Sequence, residues 1–289
     1  MKFGFVTNYN EAVMQMASRL GFDCVEVFAD ANTPMDVTLL KESDFDRLRE
    51  ARLSYGVGFG AVASAVNHMT GDANQRAKNN EYFLELIKNC KKLGSEIVMT
   101  NVWADPELSP VANLTRYKEV FSEYALAAEA EGVRIVVENC PHSGGYPMKI
   151  GNICYSPEMW GEMFEAVPSR AIGLEYDPSH LYWQRIDYVK AIRDFGGRIY
   201  ACHAKDTEVD NEVLGRVGIM GPQARGSKGW WRYRMPGMGE IDFKAVFGAL
   251  KESGFNGPMF IEHEDPEYEG ARYEEGLRLG LEYLKRINI

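Results

Sequence analysis

The stretch Arg134-Ile135-Val136-Val137-Glu138-Asn139-Cys140 sets three consecutive β-branched aliphatic residues directly before a carboxylate. Near-continuous apolarity of this kind belongs to a strand buried on both faces, as in a parallel sheet covered by helices. Comparable short runs recur near Lys2 to Thr7, Cys24 to Ala29, Gly56 to Ala63, Glu96 to Val102, Ala171 to Asp177, Arg198 to Ala204 and Gly257 to Glu262. Helical patterns, such as Asn80 to Leu93, Tyr117 to Glu131 and Phe243 to Ser253, lie between them. Ser156-Pro157 reads as an N-cap followed by proline in the first turn, and Gly94, Gly132 and Gly254 stand where helices end in a left-handed residue. Eight strands alternating with about as many helices in 289 residues predict an α/β fold, a single (β/α)8 barrel spanning residues 1–289. The competing open, doubly wound sheet lacks support, because no G-x-G-x-x-G follows an early strand.

The chain carries 32 Lys and Arg against 42 Asp and Glu, a formal charge of −10. An acidic surface opposes phosphate backbones, so nucleic acid is not expected as a partner. The five cysteines, Cys24, Cys90, Cys140, Cys154 and Cys202, contain no C-x-x-C pair, which reads as a reduced, cytoplasmic protein. No run of about 18 apolar residues occurs, and no membrane partner is expected. From Asp206 to Glu240 the chain passes seven glycines before the next helix. A connection this long without secondary structure of its own reads as a lid. Its aromatic and basic residues, Trp230-Trp231-Arg232-Tyr233-Arg234, suit stacking on a sugar ring or aglycone and holding hydroxyls or an anion, or anchoring a subunit interface.

In such a barrel the chemistry lies at the C-terminal ends of the strands. Strand five ends in Glu138, strand six in Glu175-Tyr-Asp177-Pro-Ser-His180, strand seven in His203-Ala-Lys205-Asp206 and strand eight in Glu262-His263-Glu264-Asp265. Any one of Glu138, Asp177 or Glu262 is equally readable as a helix cap or ion-pair partner. Gathered at one rim, three acids raise one another's pKa unless a cation compensates, and His203 adds a nitrogen donor. Such a set suits one divalent ion, Mn²⁺ first, with Mg²⁺, Co²⁺ or Zn²⁺ compatible. Lys205, on the same strand face as His203, is placed to neutralise a developing oxyanion or bind a hydroxyl, or alternatively to pair with Asp206 or Glu175. His142, in the loop after Glu138, is a substrate-contact candidate, as are His68 in the pocket wall and Trp103 at the end of strand four. Strand alternation turns His263 away from Glu262, toward packing under the last helix.

Glu138, the Asp177-x-x-His180 spacing, His203, the stretch Gly237-Met-Gly-Glu-Ile-Asp-Phe243 and Gly257-Pro-Met-Phe-Ile-Glu262 together resemble the xylose-isomerase-like superfamily of barrels. It includes D-tagatose 3-epimerase, inosose dehydratase and, more distantly, endonuclease IV, and the similarity covers essentially the whole chain. The resemblance implies that Glu138, Asp177, His203 and Glu262 bind one divalent metal and that His180 contacts substrate. It further implies that Glu138 and Glu262 exchange a proton on opposite faces of a sugar carbon. The function so implied is a sugar or sugar-phosphate isomerase or epimerase acting next to a carbonyl on a small-molecule sugar. The alternatives are a lyase or dehydratase on an oxidised sugar or 3-oxo-glycoside, and a non-catalytic sugar-binding or assembly subunit. Barrels of this superfamily are often dimers or tetramers, so a homo-oligomer is expected. The trinuclear zinc site of endonuclease IV needs further histidines. Strand four ends Thr100-Asn101-Val102-Trp103 without one, and none lies between Lys205 and Ile261.

Overall fold

The computed structural model describes residues 1–141, 150–221, 223 and 229–288. Eight parallel strands close into a barrel: β1 (Lys2–Thr7), β2 (Cys24–Phe28), β3 (Gly58–Ser64), β4 (Ile97–Thr100), β5 (Arg134–Glu138), β6 (Ile172–Tyr176), β7 (Ile199–Ala204) and β10 (Pro258–Ile261). Two further strands, β8 (Asp206–Val209) and β9 (Trp231–Arg234), pair antiparallel outside it. The helices are α1 (Glu11–Leu20), α2 (Glu42–Tyr55), α3 (Ala73–Leu93), α4 (Pro110–Glu131), α5 (Pro157–Ala166), α6 (Pro178–Trp183), α7 (Tyr188–Phe195), α8 (Asn211–Val217), α9 (Phe243–Glu252) and α10 (Tyr273–Ile287). The architecture is the expected (β/α)8 barrel. Ser156 caps α5 by accepting from the Met159 amide, and Gly94, Gly132 and Gly254 hold φ of +97°, +63° and +77°. The α3 and α4 helices begin earlier than their apolar periodicity shows, at caps Asp72 and Ser109.

Two layers of apolar side chains form the core. Between the sheet and the helices lies the main cluster, while Cys24, Ala61, Ala63, Met99, Val136, Ala201 and Phe260 fill the barrel's interior. Phe260 occupies this interior without solvent exposure, and the neighbouring strands make room for it with glycine. A Cβ on Gly60 would stand 2.8 Å from the Phe260 ring and 2.9 Å from the Cys24 sulfur. The apolar plug leaves polar residues of the same inward faces to stack above it, toward the C-terminal rim.

The long connection after β7 differs from expectation, because it has secondary structure of its own. Only Lys205 separates β7 from β8, whose partner β9 returns in register, Asp206 opposite Arg234 and Val209 opposite Trp231, with α8 between them. Asp206 fixes the base of this hairpin: its carboxylate accepts from the backbone amides of Thr207, Gly237, Gly239 and Ile241 at 2.8–3.0 Å. Gly239 is required there, since a Cβ would lie 2.4 Å from Asp206 Oδ1. Alternation sends Trp231 and Tyr233 inward and Arg232 and Arg234 to the other face. Trp231 stacks on Trp183 at 4.5 Å and 9°, with Trp230 edge-on to both.

His68 is packed between α3 and α4 rather than set in the pocket wall. Fully buried, it contacts Phe83, Phe121 and Tyr124, and its ring nitrogens bond Tyr124 Oη at 2.9 Å and Thr100 Oγ1 at 2.7 Å. Burial pushes its pKa down to about 3, so the folded protein holds it neutral.

Two expectations follow from this packing. Gly60→Ala should lower unfolding stability by about 1–3 kcal/mol through overpacking, and Phe260→Leu should relieve part of that cost in the double variant. Purely additive effects in urea unfolding would count against the plug. For His68, the unfolded chain takes up the proton near pH 6.5 and the folded chain only near 3. Stability therefore falls as pH drops through that window, by up to about 1.4 kcal/mol per unit. His68→Gln should show a shallower slope between pH 6 and 4; identical slopes would refute the assignment.

Candidate metal centre at the barrel mouth

Four strand ends converge on one point. One ligand atom each from Glu138, Asp177, His203 and Glu262 can be chosen so that all lie within 4.8 Å of one another. The pleat explains the convergence. Val136 belongs to the barrel interior, so Glu138, two residues on, faces inward as well; Ala201 and Phe260 stand in the same relation to His203 and Glu262.

The side chains are held from behind. Asn139 and Asp177 bond reciprocally: the Asn139 amide nitrogen donates to the Asp177 carbonyl at 2.9 Å, and the Asp177 backbone N–H donates to Asn139 Oδ1 at 2.7 Å. Asp177 Oδ1 caps α6 by accepting from the Ser179 amide at 2.8 Å, which leaves the buried Oδ2 without a hydrogen-bond partner. Asn101 donates to Glu138 Oε2 at 3.2 Å, turning Oε1 toward His203. His203 Nδ1 lies 3.1 Å from both Glu138 Oε1 and Glu262 Oε2.

Lys205 is buried in the same ring. Its ammonium pairs with Glu262, lies 3.3 Å from Asp177 Oδ2 and 3.9 Å from Glu264, and stands 4.4 Å from the centre of the Tyr233 ring. It thus pairs with neither Asp206 nor Glu175, the two partners its position in sequence offers. Tyr233 Oη bonds His180 Nδ1 at 2.8 Å, and the buried Nε2 points at Glu138 Oε1 (3.4 Å) and Asp177 Oδ2 (3.3 Å). The hairpin therefore reaches the centre through Tyr233.

Charge balance follows from this crowding. Burial opposes ionisation of Glu138, yet hydrogen bonds from His180 and His203 hold its carboxyl well below the usual range. Burial likewise opposes ionisation of Glu262, but the Lys205 charge brings it down to about 2. Burial disfavours the charged forms of His203 and Lys205; Glu175 and Glu262 overcome it for His203, and Glu262, Glu264 and Asp177 for Lys205, so both are pushed up. The single imidazole and three carboxylates, with Asp177 Oδ2 turned to the shared centre, fit a hard divalent cation.

Other candidates stand elsewhere. Trp231, expected to stack on a sugar, is buried against Trp183 with one face covered. Arg232 pairs with Glu208 and Glu267, and Arg234 with Glu208, Asp265 and Glu267, so both guanidinium groups clasp the hairpin to the segment after β10 instead of waiting for a ligand. Trp103 is half-buried at the end of β4, its indole N–H donating to the Ala65 carbonyl at 3.2 Å. His142 lies outside the described residues. His263 stacks on Tyr273 of α10 at 4.5 Å, as its strand position indicated.

Sequence reading missed Glu26 and Glu175 as inward residues. Both are fully buried beneath His203, with Nε2 3.4 Å from Glu26 Oε2 and 3.3 Å from Glu175 Oε2. Burial and the neighbouring Glu26 push the Glu175 carboxyl well up. The signal was present in Cys24-Val-Glu26-Val-Phe28, where a lone carboxylate interrupts an otherwise apolar strand.

Comparison with known proteins finds relatives by sequence and neighbours by fold. Inosose isomerase of Bacillus velezensis is 24% identical over 275 residues, 95% of this chain and 90% of its own. Inosose dehydratase of Geobacillus thermodenitrificans is 30% identical over 145 residues, 49% of this chain and 44% of its own. Among solved structures, D-psicose 3-epimerase with D-tagatose from Clostridium cellulolyticum H10 superposes with TM-score 0.75 at 16% identity, over 100% of this chain and 99% of that one. The IOLI protein with a binding zinc atom gives 0.74 at 21%, over 100% and 98%. At these identities the two structures establish likeness of fold. Residues 14–287 match the xylose isomerase-like TIM barrel family, and the chain belongs to that family.

Proposed function

We propose that the protein is a divalent-metal-dependent sugar isomerase or epimerase that moves a proton next to a carbonyl, with Glu138 and Glu262 as acid and base. The observation that carries this reading is the convergence of one ligand atom each from Glu138, Asp177, His203 and Glu262 on one point. The four would hold one ion, Mn²⁺ as first choice. When bound, the ion supplies Lewis acidity toward a carbonyl and its neighbouring hydroxyl.

The chain's own groups supply the rest. Glu262 and Glu138 reach the same point from β10 and β5, so a carbon held between them meets a carboxylate on either face, one to take the proton and one to return it. Freed from Glu262 by a substrate oxygen, the Lys205 ammonium neutralises charge developing on that oxygen. His180, its Nδ1 held by Tyr233, presents Nε2 to a substrate hydroxyl. Burial of Glu138, Asp177, His180, His203 and Lys205 keeps water from competing for these contacts.

A lyase or dehydratase remains the second reading, favoured by the inosose dehydratase relative. It begins with the same proton abstraction and then expels a β-substituent. The tryptophans offer a bulky aglycone no platform, because Trp183 and Trp231 are buried and stack on each other.

Metal-supplemented protein is expected to exchange solvent deuterium into a ketose, an inosose or a 3-oxo-glycoside. Retention of every group favours epimerisation, and release of water or aglycone the lyase. Chelation should abolish exchange and Mn²⁺ restore it; exchange that survives removal of metal would defeat the metal dependence. Glu262→Gln should lose about 10²–10⁴-fold in turnover while keeping its fold. Near-normal turnover in that variant would overturn the assignment.

A further inference from the structure

His203 lies between two sets of carboxylates. Above it, toward the mouth, Nδ1 faces Glu138, Glu262 and, at 4.0 Å, Asp177. Below it, Nε2 faces Glu26 on β2 and Glu175 on β6. The lower pair is fully buried; Glu26 Oε2 hydrogen-bonds Nε2, Glu175 Oε2 stands at ion-pair distance from the same nitrogen, and Glu26 Oε1 has no hydrogen-bond partner. Nothing in the proton transfer uses them. Placing two carboxylates in a barrel interior strips them of water, so apolar residues there would stabilise the fold better.

We propose that Glu26 and Glu175 are positioning residues: they grip the Nε2–H of His203 from below, which fixes the ring plane and leaves Nδ1 as the nitrogen offered to a cation at the mouth. This rests on the metal-binding reading above and deepens it. An imidazole has two nitrogens, and the one that ligates is decided by what the other bonds. The β6 strand adjoins β7 and β2 lies three strands away on its other side, so Nε2 meets one acid from each. The device trades fold stability for a pre-set ligand.

Glu26→Leu, Glu175→Leu and the corresponding glutamine variants, made in the full chain, test it. Calorimetric titration of metal-free protein with Mn²⁺ should give one ion per chain in the parent. Each leucine variant should bind about 10–100-fold more weakly, and Glu175→Gln, which keeps an acceptor oxygen, should recover most of that loss. The leucine variants should melt no lower than the parent, whereas a purely structural role would lower the midpoint. In ¹⁵N-histidine-labelled protein loaded with Zn²⁺, His203 should show a slowly exchanging Nε2–H that exchanges faster in the leucine variants. A Zn²⁺-bound Nε2, two ions per chain in the parent, or leucine variants with parental affinity would overturn the proposal. If the parent binds no metal, the functional reading falls and takes this inference with it. If the parent binds one ion and the leucine variants bind equally well, the inference alone fails.

Discussion

Mutual repulsion among carboxylates enclosed by a closed sheet is the constraint that organises this molecule. Glu26, Glu138, Glu175, Asp177 and Glu262 all project from inward faces or strand ends of the barrel, where water is largely excluded. Such a set does not hold together unaided at low dielectric. Two cations buried at the same level, His203 and Lys205, resist it, and each is surrounded by acids rather than paired with one. Asp177 divides its labour further, one oxygen capping α6 and the other turned to the shared centre. Beneath the charges, Phe260 and its small neighbours close the interior, so the polar layers have a dry floor.

The barrel was legible because its signal is local and repeated: apolar runs of strand length, helix caps such as Ser156, and terminal glycines such as Gly94 each declare themselves within a few residues. The residues drawn together at the mouth were legible for a related reason. Polar side chains at the ends of four successive strands have one place to go once the sheet closes, and the structure gathers Glu138, Asp177, His203 and Glu262 there, with His180 and Lys205 beside them.

What escaped the sequence depended on partners far along the chain. The β8 strand reads Asp-Thr-Glu-Val, a weak strand by itself, and its pairing with Trp231 to Arg234 exists only because Asp206 gathers amides some thirty residues away. Trp231 carries the composition of a sugar platform but spends its face on Trp183, a residue of α6. His68 carries the composition of a ligand but finds both bonding partners in the core. Glu175 lies one turn of the pleat below Asp177; so near the rim, its sequence position equally suits an ion pair with Lys205, and only closure of the sheet puts it in the interior beneath His203.

The β7 strand continues through Lys205 into β8 with no intervening loop, so the hairpin is the same piece of backbone that carries His203, extended out of the barrel and folded over. Loops on such barrels are ordinarily exchangeable parts that evolution can lengthen or replace without disturbing the scaffold. This one is not modular in that sense. Its first residue, Asp206, anchors the return segment leading to α9, its second, Thr207, donates from its hydroxyl to the Ser179 carbonyl in α6, and Tyr233 holds His180. A change in the hairpin's length or register would therefore shift Tyr233 and, through it, His180 and the mouth of the barrel, whereas substitutions along its outward face leave that linkage in place.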